Sequence, residues 1–122
     1  MSKHQIKIDW QRLLQPVSAQ DPSGPNLEYS AEFAELERAA RGTPDRQMGS
    51  ALAAGQAPDL AAVRERSVAL LERSKDVRVA VQLLRAVLAS AGLGAFLEGL
   101  AALPSLLVRF WDTLHPGLDP EE

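Results

Sequence analysis

The chain has 122 residues, a length that suits one domain with one hydrophobic core. Hydrophobic residues make up 46% and charged residues 24%, and the net charge of −3 provides no general attraction for nucleic acid or an anionic membrane. There is no cysteine, which excludes disulfides, thiol catalysis and cysteine-ligated metal centres and fits a reducing compartment.

The N-terminal part predicts one short helix. The first ten residues, MSKHQIKIDW, lack the apolar segment of a secretory signal peptide. A helix is expected from Asp9 to Gln15, because Asp9 can cap it and Pro16 blocks its continuation. Residues 20–26, QDPSGPN, contain two prolines and a glycine and predict an extended or turning connector.

A second helix is expected from Ser30, its N-cap, to Arg41, with Gly42 as its stop. Its apolar stripe is formed by Phe33, Leu36 and Ala40. Residues 42–58 then form a segment too long for an ordinary connection. We expect either a mobile functional loop or a partly packed one, anchored by Met48 and Leu52.

The third and fourth helices have different patterns. The third is predicted from Asp59, its N-cap, to about Ser74, with one apolar face and one charged face. Its inward residues are expected to be Leu60, Val63, Ser67, Leu70 and Leu71. The fourth, from near Asp76 to before Gly92, is apolar over most of its circumference and is therefore predicted to be central. The residues of its single water-facing stripe are Arg78, Gln82, Arg85 and Ala89.

The fifth helix is predicted from about Ala95 to Leu114, with His115 and Pro116 closing it. Pro104 lies inside it, so a kink or a division into two shorter helices is expected. Its inward stripe is predicted to be Phe96, Leu97, Leu100, Leu103, Leu107, Phe110, Trp111 and Leu114. The longest uncharged run, residues 86–97, has 12 residues and is too short to span a membrane.

These patterns predict an all-α fold: a compact bundle of four to six helices built from antiparallel helical hairpins, with no sheet. Sustained alternation of apolar and polar residues, the signal of a strand, is missing. We expect a single domain over residues 1–122, with its core at 8–116 and the start of a linker at 117–122.

Asp112 and His115 are the first candidates for chemistry, since a helix would place them on one face. A small hydrolase or metal enzyme using this pair is one hypothesis. It lacks partners, because the only other histidine is His4 and Ser105 lies ten residues away. The alternative is structural: a protonated His115 is favoured at a helix C-terminus, with Asp112 bound to it or to an arginine. No sequence motif requires a cofactor or a metal.

The segment from Arg64 to Arg85 is the second candidate, because it carries six basic and three acidic residues. Weak nucleic-acid binding is one hypothesis for this basic face. The other is internal ion pairing, since residues 21–37 contain five acids and no base. Internal pairing or a protein-binding surface is the preferred interpretation.

Three stretches together resemble one family. They are SGPNLEYSAEFAELERAARG at 23–42, RSKDVRVAVQLLRAVL at 73–88 and GLGAFLEGLAALPSLLVRFWDTLHPGLDPE at 92–121. Their order and spacing resemble the ImpA-related N-terminal domain of the type VI secretion TssA family. The residues that match the family's motifs are Arg73, Lys75, Asp76, Arg78, Trp111, Asp112, His115 and Pro116.

The resemblance implies a non-enzymatic assembly factor of the bacterial cytoplasm, without cofactor, catalytic residues or membrane insertion. Its implied partners are other type VI secretion components, namely baseplate, tail tube or sheath proteins, and its implied role is baseplate recruitment and tube or sheath assembly. Family members are homo-oligomeric through further regions, so a chain of this length is expected to hold only the first module.

Overall fold

In a computed structural model, residues 7–117 are described. They form five helices and one antiparallel two-stranded sheet, so the helical class is confirmed and the prediction of no sheet is wrong. In chain order the elements are α1 Trp10–Leu13, α2 Ala31–Arg41, β1 Arg46–Met48, β2 Ala51–Ala53, α3 Leu60–Arg73, α4 Val77–Ala91 and α5 Leu93–Arg109. The predicted linker at 117–122 falls, apart from Gly117, outside the described residues.

The starts of α2, α3 and α4 follow the predicted caps. The side chain of Ser30 accepts a hydrogen bond from the amide of Phe33, and Asp59 does the same for Ala62. Asp76 accepts from the amide of Arg78. Each acceptor satisfies a donor that the first turn of a helix leaves without an intrahelical partner, which fixes where the helix begins.

The core is built around α4. Helix α3 contacts both α2 and α4, and α4 contacts α5. The side chains of α4 that are buried are Val79, Ala80, Leu83, Leu84, Ala86 and Val87. The predicted central position of α4 is therefore confirmed, but Val81 and Leu88 are exposed, so its water-facing stripe is not only polar.

Residues 42–58 contain the sheet that the sequence did not predict. Strands β1 and β2 pair Arg46 with Ala53 and Met48 with Ala51, and an isolated bridge joins Thr43 to Gln56. Strands of three residues are too short to show alternation, and the turn depends on Gly49 at φ 65°. Leu52 is exposed, so its predicted role as an apolar anchor is wrong.

Helix α5 also differs from its prediction. It is one helix that contains Pro104, and it ends at Arg109, before the predicted end at Leu114. The buried residues of the α5 segment are Gly99, Leu106 and the C-cap Phe110, whereas the predicted inward residues Leu97, Leu100 and Trp111 are exposed. Gly99 permits close packing, because a Cβ there would lie 2.5 Å from atoms of Leu84 and Trp10.

Candidate functional site

All three stretches that carry the family motifs meet at one place in the fold. The amide of Lys75 donates to the carbonyl of Ser23 at 2.7 Å, and the amide of His115 donates to the carbonyl of Lys75 at 2.9 Å. The amide of Val77 then donates to the carbonyl of His115 at 2.9 Å. We name this meeting point the polar junction and define it as residues 23–24, 74–78 and 113–115. It joins the N-terminal connector, the α3–α4 connection and the segment after α5.

Lys75 is the centre of the polar junction, and only 1% of it is exposed. Its Nζ donates to the carbonyl oxygens of Leu13 and Leu71, both at 2.7 Å, and lies 5.6 Å from the ring centroid of Phe110. Those carbonyls belong to the last turns of α1 and α3, where acceptors lack intrahelical partners. Lys75 therefore caps the C-terminal ends of both α1 and α3.

Burial lowers the pKa of Lys75 to about 8, with the nearby Glu72 acting in the opposite direction. Desolvation disfavours the ammonium, while the two carbonyls and the aromatic face favour it. At neutral pH the side chain is thus still mainly protonated. A buried amine without access to solvent holds structure together and has no route to a substrate.

Asp76 and Arg78 form the second part of the polar junction. Asp76 Oδ1 accepts from Arg78 Nε at 3.0 Å, and Oδ2 accepts from Arg78 Nη2 at 2.7 Å. This bidentate pair, together with Glu28 at 3.0 Å from Nη1, raises the pKa of Arg78, the hydrogen bond to Asp76 being the largest cause. The guanidinium also lies 5.2 Å from the ring centroid of Phe33, so Arg78 connects α4 to α2.

His115 lies in the polar junction and not at the end of a helix, which corrects the sequence interpretation. Its Nε2–H donates to the carbonyl oxygen of Gly24 at 2.7 Å, and its backbone pairs with the α3–α4 connection. Nearby, the hydroxyls of Ser23 and Thr113 lie 2.6 Å apart in hydrogen-bond contact. Asp112 is exposed, and within the described part of the chain no hydrogen bond or ion pair joins it to His115.

The catalytic or metal-binding pair of the alternative hypothesis is therefore not assembled. The imidazole is bound to a backbone carbonyl, and the Asp112 side chain is exposed to solvent. Among residues 7–117, no group of three or more histidine, aspartate or glutamate side chains is placed to hold a metal ion. The geometry of the polar junction supports folding, since each of its charged groups already has an intramolecular partner.

Three of the five arginines of the basic segment pair as the internal-pairing hypothesis predicted. Arg66 pairs with Glu35, Arg73 lies 3.6 Å from Glu32, and Arg78 lies 3.0 Å from Glu28. These acids lie in the 21–37 region, as predicted. The basic charge between Arg64 and Arg85 is therefore partly neutralised by α2 and its approach.

The exposed surface of α5 is the other notable feature, and it is apolar. Val108 is 81% exposed, Trp111 is 65% exposed and Leu93 is 63% exposed. We define the α5 face as Leu93, Leu97, Leu100, Pro104, Leu107, Val108 and Trp111. Leu107 is half-buried and the other six are exposed. Exposed apolar side chains that are grouped along one helix, and not scattered singly, have the character of an interaction surface.

The predicted inward role of Trp111 is wrong, and the reason lies in the pattern of α5. Apolar residues cover about two-thirds of its circumference, so periodicity alone does not say which part faces the core. The signal that was missed is a second apolar row of α5, at residues 93, 97, 100, 104 and 107, which Trp111 follows beyond the end of the helix. Its alternate four- and three-residue steps are those of one side of a helix.

The apolar surface extends from α5 onto α4. Leu84 of α4 and Gly99 of α5 line a common small cavity, so this row of α4 faces α5. Val81 and Leu88 lie three residues before and four residues after Leu84, in the same row of α4. Both are 43% exposed, and we include them as the flank of the α5 face.

Comparison with known proteins agrees with the resemblance seen in the motifs. The family model described as "ImpA, N-terminal, type VI secretion system" matches residues 14–122. The chain belongs to this family. Within residues 7–117, no helix of this ImpA N-terminal domain combines the length and apolar character that a membrane span needs.

Two relatives are similar to this chain, one in sequence and one in structure. The type VI secretion system component TssA1 of Pseudomonas aeruginosa is 43% identical over 115 residues, which is 94% of this chain and 33% of that protein. A solved N-terminal domain of the TssA component from Burkholderia cenocepacia, which includes the conserved ImpA_N region, matches with a TM-score of 0.80 and 32% identity. That match covers 100% of this chain and 45% of the solved one. The chain thus spans about a third of the curated relative.

Proposed function

We propose that this domain is a non-enzymatic protein-interaction module of a type VI secretion assembly factor. In this role it helps to recruit the baseplate and to assemble the tail tube and sheath in the bacterial cytoplasm. Its partners are other type VI secretion components, and the full-length protein is homo-oligomeric through regions beyond this domain. The observation that carries the proposal is the exposed α5 face, because an adaptor needs a surface that does not already pack against its own fold.

The polar junction supports the same proposal, because its charged groups are bound within the chain and do not serve catalysis or nucleic-acid binding. Among the motif residues, Lys75, Asp76 and His115 are bound to groups of the same chain. Catalysis needs a group that can reach substrate, and binding of nucleic acid needs cations that can reach phosphate. Lys75 reaches neither, and Arg73 and Arg78 are held by acids.

The proposal is tested by capture of purified sheath, tube and baseplate components on the immobilised chain. We expect at least one component to be retained. Leu97→Glu places a charge in the α5 face, and we expect it to reduce retention at least tenfold. Ser105→Glu is the matched control, because Ser105 is exposed on the polar side of the same helix.

Retention that is equal for Leu97→Glu and Ser105→Glu would place the partner site away from the α5 face. Absence of retention of every component by the wild-type chain would contradict the adaptor function itself. DNA retention at low salt that is lost at high salt would instead favour the nucleic-acid alternative.

A further inference from the structure

We infer that residues 8–17 form a strap, hinged at residues 18–22, that opens as one unit from an apolar cleft between α3, α4 and α5. The polar junction and helices α2 to α5 stay folded while the strap is open. The inference concerns a motion of the domain itself and holds whatever partner the α5 face binds. Four features lead to it: the polar ties of the strap, the cleft beneath it, the open space at its sides and the fixed point at its end.

The strap is tied to the helices through side chains. In the described part of the chain, its backbone amides donate to groups of the strap itself or of the hinge. From the helices, Lys75 Nζ donates to the carbonyl of Leu13 at 2.7 Å. Arg109 Nη1 donates to the carbonyl of Leu14 at 2.9 Å. Arg109 is exposed, and burial of the Lys75 ammonium has a desolvation cost that opening removes. These ties can therefore break without disturbing the backbone pairing of a helix.

The cleft beneath the strap is apolar and incompletely filled. The strap inserts Trp10, Leu13 and Leu14 into it, and both leucines are buried. A small cavity remains between these side chains and the floor of the cleft, whose leucines are Leu71, Leu84, Leu103 and Leu106. Side chains that line a void lose the dispersion contacts that a filled site provides. The buried leucines thus hold the strap closed, and the void lowers the free energy needed to open it.

Open space lies on both sides of the strap. One cleft, of about 720 Å³, lies between the strap and α3 and is lined by Val68. A second, of about 610 Å³, lies between the strap and α5 and is lined by Ser105. On the α3 side Arg12 pairs with Glu72, but the Arg12 side chain is 68% exposed, and an exposed ion pair contributes little. The strap is therefore held mainly along its underside.

The chain is fixed directly after the hinge. The carbonyl of Ser23 accepts from the amide of Lys75, and the carbonyl of Gly24 accepts from His115 Nε2. Ser23 and Gly24 are buried in the polar junction, so the motion of the strap stops there. Residues 18–21 are exposed and lie outside helix and strand, which leaves their backbone free to turn.

Opening enlarges the apolar surface next to the α5 face. Leu103, on the floor of the cleft, lies three residues after Leu100 and four before Leu107, and a helix places such residues side by side. When the strap lifts, the floor of the cleft and the α5 face become one surface. The strap is thus a lid whose position sets how much apolar surface the domain presents.

Thiol labelling under native conditions tests the opening, because the chain has no cysteine of its own. Ala80→Cys places a thiol beneath the strap, and Ala86→Cys places one on the same helix outside the lining of the cleft. Both alanines are 2% exposed, so the two variants are matched in burial. Each labelling rate is compared with the rate that global unfolding of the same variant allows. We expect Ala80→Cys to exceed that rate at least tenfold and Ala86→Cys to equal it.

A substitution far from the cleft separates local opening from global unfolding. Leu36 is buried in α2 and does not line the cleft, so its contacts persist while the strap is open. Leu36→Ala should therefore accelerate labelling of Ala86→Cys and leave labelling of Ala80→Cys unchanged.

A substitution at a tie of the strap should have the opposite pattern. Arg109→Met removes the donor to the carbonyl of Leu14 and should accelerate labelling of Ala80→Cys about tenfold, the usual effect of losing a hydrogen bond to a charged group. Arg85→Met, at an exposed arginine of α4, is the matched control and should leave the labelling of Ala80→Cys unchanged.

The outcomes separate this inference from the proposed function. Labelling of Ala80→Cys no faster than its global unfolding allows overturns the strap. Equal acceleration of both thiols by Leu36→Ala overturns it as well, because the cleft then opens only when the whole domain unfolds. A chain that captures no secretion component, but in which Ala80→Cys is labelled rapidly, refutes the adaptor function and leaves the strap standing.

Discussion

The polar junction and the α5 face depart from the usual partition of residues in opposite directions. The junction buries a lysine, an aspartate and two serines, whereas the α5 face exposes leucines, a valine and a tryptophan. Phe110 and Trp111 are neighbours in the chain, yet Phe110 is buried beneath Lys75 and Trp111 faces solvent. The contrast teaches that residues of a family motif can serve folding in one region, while the apolar surface that we propose for contacts with other molecules lies beside it.

The largest expected effect is that of Gly24→Ala in the polar junction. Gly24 has φ 71°, and a Cβ there would lie 2.1 Å from the carbonyl oxygen of Arg73, which is backbone and not free to move. We expect the free energy of unfolding to fall by about 4 kcal/mol in chemical denaturation.

Gly49→Ala is the matched control for Gly24→Ala. Gly49 has a similar φ of 65°, but nothing lies within 4 Å of an added Cβ. Only backbone strain remains, at about 1–2 kcal/mol. Equal losses for the two variants would show that the junction does not constrain the connector as described.

Alanine substitutions of the neighbours Phe110 and Trp111 test the contrast between the buried junction and the exposed α5 face. We expect Phe110→Ala to lower the free energy of unfolding by about 3–5 kcal/mol, because it removes a buried ring. Trp111→Ala is expected to change it by less than about 1 kcal/mol when measured on dilute, monomeric protein. If the two losses were reversed, Trp111 would be a core residue and would not belong to the α5 face.

Lys75→Met tests the centre of the junction. Methionine has a similar length and removes the buried charge, but it leaves the carbonyls of Leu13 and Leu71 without their donor. We expect a loss of about 2–3 kcal/mol in the free energy of unfolding, since unpaired buried acceptors cost about 1–3 kcal/mol each and the relief of burying a charge offsets part of this. Lys7→Met, at an exposed lysine, should lie within about 0.5 kcal/mol of the wild type.

The most gradual effect is a dependence of stability on pH. The folded state releases the Lys75 proton at a pKa of about 8, while the unfolded chain keeps it up to the ordinary value of 10.5. Between these values the unfolded state binds more protons, so stability should rise with pH, by at most about 1.4 kcal/mol per pH unit. The rise should be missing in Lys75→Met. A wild-type curve that is flat or falls over this window would contradict the desolvated environment of Lys75.

The sequence predicted the local features of this fold well. The caps Ser30, Asp59 and Asp76 and the inward face of α3 depend on neighbours within four residues, and all were found where expected. The pairing of arginines with the 21–37 acids followed from charge balance. The motif resemblance identified the family, which the comparisons confirm.

The features that failed depend on contacts between distant parts of the chain. The backbone of His115 hydrogen-bonds to Lys75 and Val77, some 40 residues earlier, and no local sequence pattern predicts such a pairing. The inward side of α5 includes Gly99, where an added Cβ would clash with Leu84 and Trp10. Hydrophobicity therefore placed Trp111 in the core, although it follows the end of α5 and is exposed.

The central claim is that contacts with other molecules are made by the α5 face and not by the polar junction. Titration of the isotope-labelled chain with a type VI secretion component that it retains, followed by backbone amide chemical shifts, tests it most directly. We predict shifts that grow with the amount of that component at Leu93, Leu97, Leu100, Leu107 and Trp111, with the amides of Lys75, Val77 and His115 unchanged. Shifts centred on Lys75, Val77 and His115, with the α5 face silent, would contradict the claim.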